Sequence, residues 1–297
     1  MRPYSEVFFP QPHWESMGTK RMQEGKVVSV ILAGGSASRL GIDYPKALFS
    51  FEGNRSLLEI LCGKVAKQDI SLPLYVLCSK KGEKELVDYA KARGDFGLTS
   101  LAFFSQKEIL HPSGERSSGG NGALYATLAD RNILSLWKEQ GVEEVMVIPI
   151  DNPLAAPFDP TLIGMRREQG LDVSLIGIEN RGEESTMGAL AQTNEGLRIL
   201  EYYENLGSFH PKYCNANQFC FSLPFLEKAS KLSLPLHEVK RSGKIKTEEL
   251  LFDAFVVSKK TGVLIYDKHL CYAPLKERTG DRGILSVETA LKNQGIL

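Results

Sequence analysis

Residues 27–49 read VVSVILAGGSASRLGIDYPKALF. Val27 to Leu32 is a β-rich apolar run that ends on Gly34-Gly35, as a buried central strand does when it hands over to a tight loop. Arg39, Gly41 and Pro45-Lys46 follow in order. Backbone amides beside small residues can approach anionic oxygens closely, and the two cations can neutralise them, so the stretch reads as a phosphate cradle. Its spacing is neither the GxxxxGK[ST] of a P-loop nor the GxGxxG of a dinucleotide site. A lone Gly-Gly is most often only a turn; the ordered Arg39, Gly41 and Lys46 behind it favour phosphate.

Working outward, strand-like and helix-like stretches alternate, which predicts a mainly parallel sheet with helices on both faces. Ser56-Leu57-Leu58-Glu59 has capping-box spacing, and Leu57, Leu61 and Val65 continue one helix face. Leu72 to Cys78 and Leu101 to Phe104 read as further strands, with a helix from Glu83 to Arg93 between them stopped by Gly94. Ala123 to Gln140 reads as one helix behind a second Gly-rich loop. Val145 to Ile150 is a short apolar strand with Asp151 at its carboxyl end. Asp159-Pro160 opens a helix that Gly170 stops, and Val173 to Ile178 is the next strand. Met187 to Gln192 and Leu197 to Tyr203 flank Asn194-Glu195-Gly196 as an antiparallel hairpin. The first 25 residues read as an irregular arm, and 26–297 as a single domain. Its nucleotide half is about 26–155 and its second half about 156–280.

Bulk properties restrict the partners. Among 297 residues, 36 basic and 36 acidic side chains cancel, and no Lys/Arg block marks a nucleic-acid or anionic-membrane footprint. The five cysteines, Cys62, Cys78, Cys214, Cys220 and Cys271, are widely spaced without a CxxC pair, and read as free thiols of a cytoplasmic protein. No signal-peptide h-region and no apolar run near the roughly 18 residues of a membrane span is present.

The loop resembles the signature of the eukaryotic-type UDP-N-acetylhexosamine pyrophosphorylases and their UDP-sugar pyrophosphorylase relatives. Further motifs follow in that family's order. Gly120-Asn121-Gly122-Ala123-Leu124-Tyr125 is similar to its uridine-binding loop, and Asp151-Asn152 with Asp159-Pro160-Thr161 to its VDN…DPT segment. Glu201-Tyr202-Tyr203-Glu204 is similar to a sugar-site strand. Lys244-Ile245-Lys246-Thr247-Glu248 with Phe252-Asp253-Ala254-Phe255 is similar to a helix, and Ala273-Pro274-Leu275-Lys276 to its SPLK element.

The resemblance implies a Rossmann-like nucleotide-diphospho-sugar transferase fold with a smaller sugar-side β region. It also implies a uridylyltransferase joining UTP to a hexose 1-phosphate, N-acetylglucosamine 1-phosphate first and glucose 1-phosphate next, with Mg2+ as cofactor. Arg39, Lys46 and Lys276 are then the phosphate-handling catalytic residues and Asp151 the metal ligand. Leu32, Ala33, Gly34, Gly35, Gln106, Gly120, Asn121 and Gly122 bind the nucleotide. Glu201 and Asn215 bind the sugar, with Asn217 a rival to Asn215. Family glycines are replaced by Ala37, Ala47 and Ala123, which matters if any of those positions needs a positive φ or a ligand against its backbone. The family's flanking domains are not matched, so the resemblance covers the catalytic core, and a monomer is expected. The competing readings are a nucleotide or UDP-sugar binding protein without turnover and a glycosyltransferase. The latter holds its metal through a DxD, whereas here the strand ends in Asp151-Asn152-Pro153.

Overall fold

The computed structural model describes all residues except 36, 111–115, 183–186, 202–203, 205–207 and 242–243. Tyr202 and Tyr203 of the sugar-side motif, and Ser36 of the signature loop, thus lie outside the described residues. In chain order the strands are β1 (Arg2–Pro3), β2 (Val7–Phe8), β3 (Val27–Ala33), β4 (Leu74–Cys78), β5 (Leu101–Ser105), β6 (Glu108–Leu110) and β7 (Arg116–Ser118). They continue as β8 (Glu144–Pro149), β9 (Val173–Glu179), β10 (Ala189–Thr193), β11 (Gly196–Leu200), β12 (Tyr213–Ser222), β13 (Leu236–Arg241), β14 (Lys244–Glu249) and β15 (Thr261–Ile265).

The quoted run is the strand around which the sheet is organised. The order is β2-β15-β9-β12-β8-β3-β4-β5, so β3 has β4 on one side and β8 on the other. All pairs along it are parallel except those of β12, which runs antiparallel to both β8 and β9. The chain leaves β3 toward β4 and β5 and later returns to its opposite side as β8, which makes the carboxyl end of β3 a topological switch point. Side chains alternate between faces as a two-sided strand requires. Val27 and Ile31 join one buried cluster with Met146 and Ile148; Val28 and Val30 join the other with Val145 and Val147. The expected α/β class, with its mainly parallel sheet and a smaller β10–β11 hairpin beside it, is the observed one.

The first 25 residues are not an irregular arm. They hold helix α1 (Pro12–Gln23), while β1 pairs with β10 and β2 with β15. Helix α1 packs on α6 (Pro160–Gln169), the helix that Asp159 caps. The two backbones nearly touch: a Cβ on Gly18 would overlap Pro160 O, and one on Gly164 would overlap Trp14 O. At the helix end Arg21 is buried and donates to Glu144 at 3.0 Å, which also takes Arg166 at 2.6 Å.

Helices α2 (Leu57–Ala66) and α3 (Glu83–Lys91) match their expected positions, and the Ser56/Glu59 capping box is closed in both directions. The expected helix over Ala123 to Gln140 is two, α4 (Ala123–Asp130) and α5 (Ile133–Glu139). Asn132, with φ 55°, breaks it in the left-handed region that Asn tolerates better than most residues. The stretch from Lys244 to Glu248 is not helical: it is β14, hairpinned on β13. Its end is anchored by Glu249, whose N–H donates to Gly119 O and whose carbonyl accepts from Gly122 N–H. No helix among the described residues is long and apolar enough to cross a membrane.

Candidate active site

The carboxyl ends of β3 and β8 and the segment after β15 converge on Asp151. β8 delivers Asp151 two residues beyond its last residue, and Leu275 N–H donates to the Asp151 carbonyl at 2.7 Å, drawing Lys276 into place. Lys46 stands at the start of a short 3-10 turn behind Pro45, with its side chain only 9 % exposed. Lys46 Nζ lies 3.4 Å from Asp151 Oδ2, and Lys276 Nζ is in closer contact with the same oxygen. One carboxylate therefore bridges two ammonium groups, and the local charge is +1.

Electrostatics follow the geometry. Burial pushes the Asp151 carboxyl up, but Lys276 and Lys46 outweigh it and hold the group well below the usual carboxylate range. Burial pushes the Lys46 ammonium down; Lys276 and Arg39 add to this, and Asp151 opposes it. Arg39 itself is exposed at the rim. Asp151 Oδ1 is buried without a hydrogen-bond partner, an orphaned acceptor beside surplus positive charge. A site with that balance is suited to a polyanion.

Across the switch point, Gln106 is buried and its Nε2 has no partner. It packs on the signature loop so tightly that a Cβ on Gly34 would overlap its Oε1, whereas one on Gly35 would meet nothing. Leu32 and Ala33 end β3 directly before them. Gly120 has φ +78°, and a Cβ there would come within 2.6 Å of Glu249 O; at Gly122 it would come within 2.7 Å of Glu249 Cβ. Strand β14 thus requires both glycines independently of any ligand. Asn121 Oδ1 accepts from Leu251 N–H at 2.9 Å, so that acceptor fixes the loop.

Ala37, Ala47 and Ala123 are all buried, and none of them has a positive φ. Ala37 and Ala47 contribute methyls to the core cluster behind the loop, and Ala123 is the first residue of α4. Their backbones adopt conformations open to any residue.

On the other side of Asp151, Glu201 and Asn215 approach one another around Gly188. Asn215 N–H donates to Gly188 O at 2.8 Å, and a Cβ on Gly188 would lie 3.7 Å from Glu201 Oε1. Asn215 is buried, however, and its carboxamide is engaged by Asn217: Nδ2 donates to Asn217 Oδ1 at 2.8 Å, and Oδ1 accepts Asn217 N–H at 2.9 Å. Asn217, with φ 58°, sits in the bulge of β12 between Asn215 and Phe219.

Two contributors were given no role from the sequence, although Asn152 was quoted there beside Asp151. Asn152 is fully buried and hydrogen-bonded to the segment that carries Lys276, although its place beside a strand-end Asp is a usable signal. Arg278 Nε donates to Leu40 O at 2.7 Å and ties the same segment to the signature loop. Nothing in the local sequence pairs those two positions.

Residues 2–252 match the family described as UTP--glucose-1-phosphate uridylyltransferase. A probable UDP-N-acetylglucosamine pyrophosphorylase of Encephalitozoon cuniculi is 27 % identical over 93 % of this chain and 89 % of its own length. The UDP-N-acetylglucosamine pyrophosphorylase of Saccharomyces cerevisiae is 24 % identical over 91 % and 68 %. Among solved structures, a putative UDP-N-acetylglucosamine pyrophosphorylase from Entamoeba histolytica superimposes with TM-score 0.85 at 20 % identity, covering 98 % of this chain and 88 % of that one. The Trypanosoma brucei enzyme in complex with an inhibitor gives 0.79 at 23 %, covering 95 % and 68 %. At those identities the structures establish a shared fold, while the sequence match over most of the chain establishes kinship: the protein belongs to the UTP--glucose-1-phosphate uridylyltransferase family.

Proposed function

We propose that the chain transfers the uridylyl group of UTP to a hexose 1-phosphate, with N-acetylglucosamine 1-phosphate the preferred acceptor and glucose 1-phosphate the next. Family membership gives the reaction class, and the acceptor follows the names of the curated relatives. The observation that carries the reading is the Lys46–Asp151–Lys276 cluster at the switch point of the sheet. A sugar phosphate oxygen attacks the α-phosphorus of UTP, the bond to the bridging oxygen of the β-phosphate breaks, and pyrophosphate leaves with the electron pair. No protein atom is bonded covalently along the way, so positioning and charge stabilisation do the catalytic work.

Lys46 and Arg39 hold the triphosphate, with Lys46 on the α-phosphate, and the amides around Gly34 and Gly35 approach its oxygens. Lys276 meets the phosphates from the sugar side. Gln106 Nε2 and the Gly120–Gly122 loop, with Asn121, read the uracil; an amide N–H suits its carbonyl oxygens. Glu201 and the Asn215–Asn217 pair receive the sugar hydroxyls and acetamido group, Asn215 by orienting Asn217.

The orphaned Asp151 Oδ1 fits a Mg2+ ion, which prefers oxygen ligands and commonly takes one or two carboxylates with substrate phosphates. No group of three or more His, Cys, Asp or Glu side chains among the described residues is placed to hold a metal by itself, so an ion held by Asp151 would depend on substrate oxygens and water for its other ligands. The ion would spread charge from the departing pyrophosphate. The test is a substrate panel in which UTP, ATP and dTTP are crossed with four sugar 1-phosphates and pyrophosphate is measured. The account expects UTP with N-acetylglucosamine 1-phosphate to lead; no turnover with any pair would refute it.

A further inference from the structure

Two buried carboxamides converge on one backbone carbonyl just ahead of Lys276. Asn152 Nδ2 donates to Cys271 O at 2.7 Å, and Gln218 Nε2 donates to the same oxygen at 2.9 Å. Each amide oxygen is also occupied. Asn152 Oδ1 accepts from Ala273 N–H at 3.0 Å and Leu154 N–H at 3.3 Å, and Gln218 Oε1 from Ala156 N–H at 3.2 Å. The loop that begins with Asp151 and the segment that ends in Lys276 are thereby clamped together by two side chains.

Packing alone does not account for this clamp. Asn152 is 0 % and Gln218 1 % exposed, and burying a carboxamide is unfavourable unless all its groups are bonded. An apolar side chain of similar volume would leave the backbone groups that each carboxamide bonds without those partners. Beside the clamp lies a cavity of about 210 Å³ lined by Leu154, Ala156, Gln218, Leu270 and Cys271 among others. The Cys271 segment has free space on this side while Cys271 and Leu275 are buried in the core on the other, and the two carboxamides add directional hydrogen bonds that fix its register.

We infer that Asn152 and Gln218 are positioning residues: by gripping the Cys271 carbonyl they set where Lys276 stands relative to Asp151. The inference rests on the uridylyl-transfer reading and adds to it the two residues that align its sugar-side lysine. Misplacing a charged group by about an ångström costs on the order of a hundredfold in rate, while the signature loop that binds UTP is untouched.

The test is a double-mutant cycle in the full chain with Gln218→Met and Lys276→Ala. Gln218→Met lowers kcat roughly 10- to 100-fold with KM for UTP changed by less than about threefold. In the Lys276→Ala background the same substitution costs less than about twofold, because the group it aligns is gone. Additive losses in an active enzyme overturn the positioning role alone; absence of turnover by the wild-type protein overturns the transfer reading and the inference with it. Gln218→Glu is the second variant. Its protonated carboxyl can donate to Cys271 O and its carboxylate cannot, so its activity relative to wild type falls as pH rises from about 6 to 8. A flat ratio, or loss of folded protein in both Gln218 variants, also overturns it.

Discussion

Replacing Glu144 by Gln tests how the N-terminal helix is held to the sheet. Glu144 is fully buried at the start of β8; Arg21 of α1 lies 3.0 Å from its Oε2 and Arg166 of α6 lies 2.6 Å from its Oε1. At about 3 Å and an effective dielectric near 20, each pair has a gross Coulomb attraction of about 5 kcal/mol, most of it offset by desolvation. Glutamine keeps one acceptor oxygen but turns an NH2 toward the other guanidinium; Arg21 keeps Glu24 and Glu143, whereas the buried Arg166 loses its carboxylate. The expected loss is about 3–4 kcal/mol, within the range for removing one partner of a buried ion pair. In a chain of this size that corresponds to roughly 5–6 °C in Tm. Glu143 is the control. It contacts Arg21 at 2.8 Å and Arg167 at 2.9 Å, but its side chain is 40 % exposed, so Glu143→Gln should cost about 1 kcal/mol or less. Urea and thermal unfolding followed by circular dichroism measure both. kcat/KM per folded molecule should be unchanged, because the triad lies at the opposite end of β8 from Asp151, roughly 20 Å away along the strand. Equal effects of the two substitutions, or a Glu144→Gln loss below about 1 kcal/mol, would refute the reasoning.

Further expectations concern the loop and its supports. Burial raises the Glu59 carboxyl, but the Ser56 N–H, the Tyr89 hydroxyl and Arg93 together hold it below its ordinary value of 4.5. Its contribution is therefore present above that value and lost as pH falls through the depressed one, so Glu59→Gln should flatten the decline of stability between about pH 5 and 3. An undiminished acid loss would contradict this. Gly35→Ala should leave Tm unchanged, since the added methyl meets nothing, yet weaken UTP binding by calorimetry if the loop cradles phosphate. Ala37→Gly or Ala47→Gly should each lower stability by about 1 kcal/mol, through a lost buried methyl and added backbone freedom, without changing the preference for UTP. A switch in nucleotide preference would show that those positions act on the ligand.

The legible parts of the fold were those whose signals are local. β3, β8 and α2 are read from apolar runs and a capping box, and Asp151 from its place at a strand end. α1 was illegible because its buried face, Trp14, Gly18, Arg21 and Met22, is only half apolar: Gly18 is there for close backbone contact with α6, and Arg21 looks like a surface residue until Glu144 is placed beside it. The α4–α5 break had a local sign in Asp130-Arg131-Asn132, which the apolar period across it obscured. In the site, the charged residues were named from sequence and meet in space as Lys46, Asp151 and Lys276. The bonds around them were less visible: Asn152 stood in a quoted motif without a role, and Asn152, Gln218 and Arg278 all bond to backbone atoms distant in sequence. Likewise the glycines of the 120–122 loop read as ligand contacts, whereas β14 alone already requires them.

The most direct test is the initial rate of pyrophosphate release from UTP and N-acetylglucosamine 1-phosphate with Mg2+, wild type against Lys46→Ala. The account predicts turnover by the wild-type protein and a fall of at least about a hundredfold in kcat/KM in the variant, the loss expected when a transition-state charge contact is removed. Equal rates for the two proteins, or UTP binding without any release of pyrophosphate by the wild type, would contradict it.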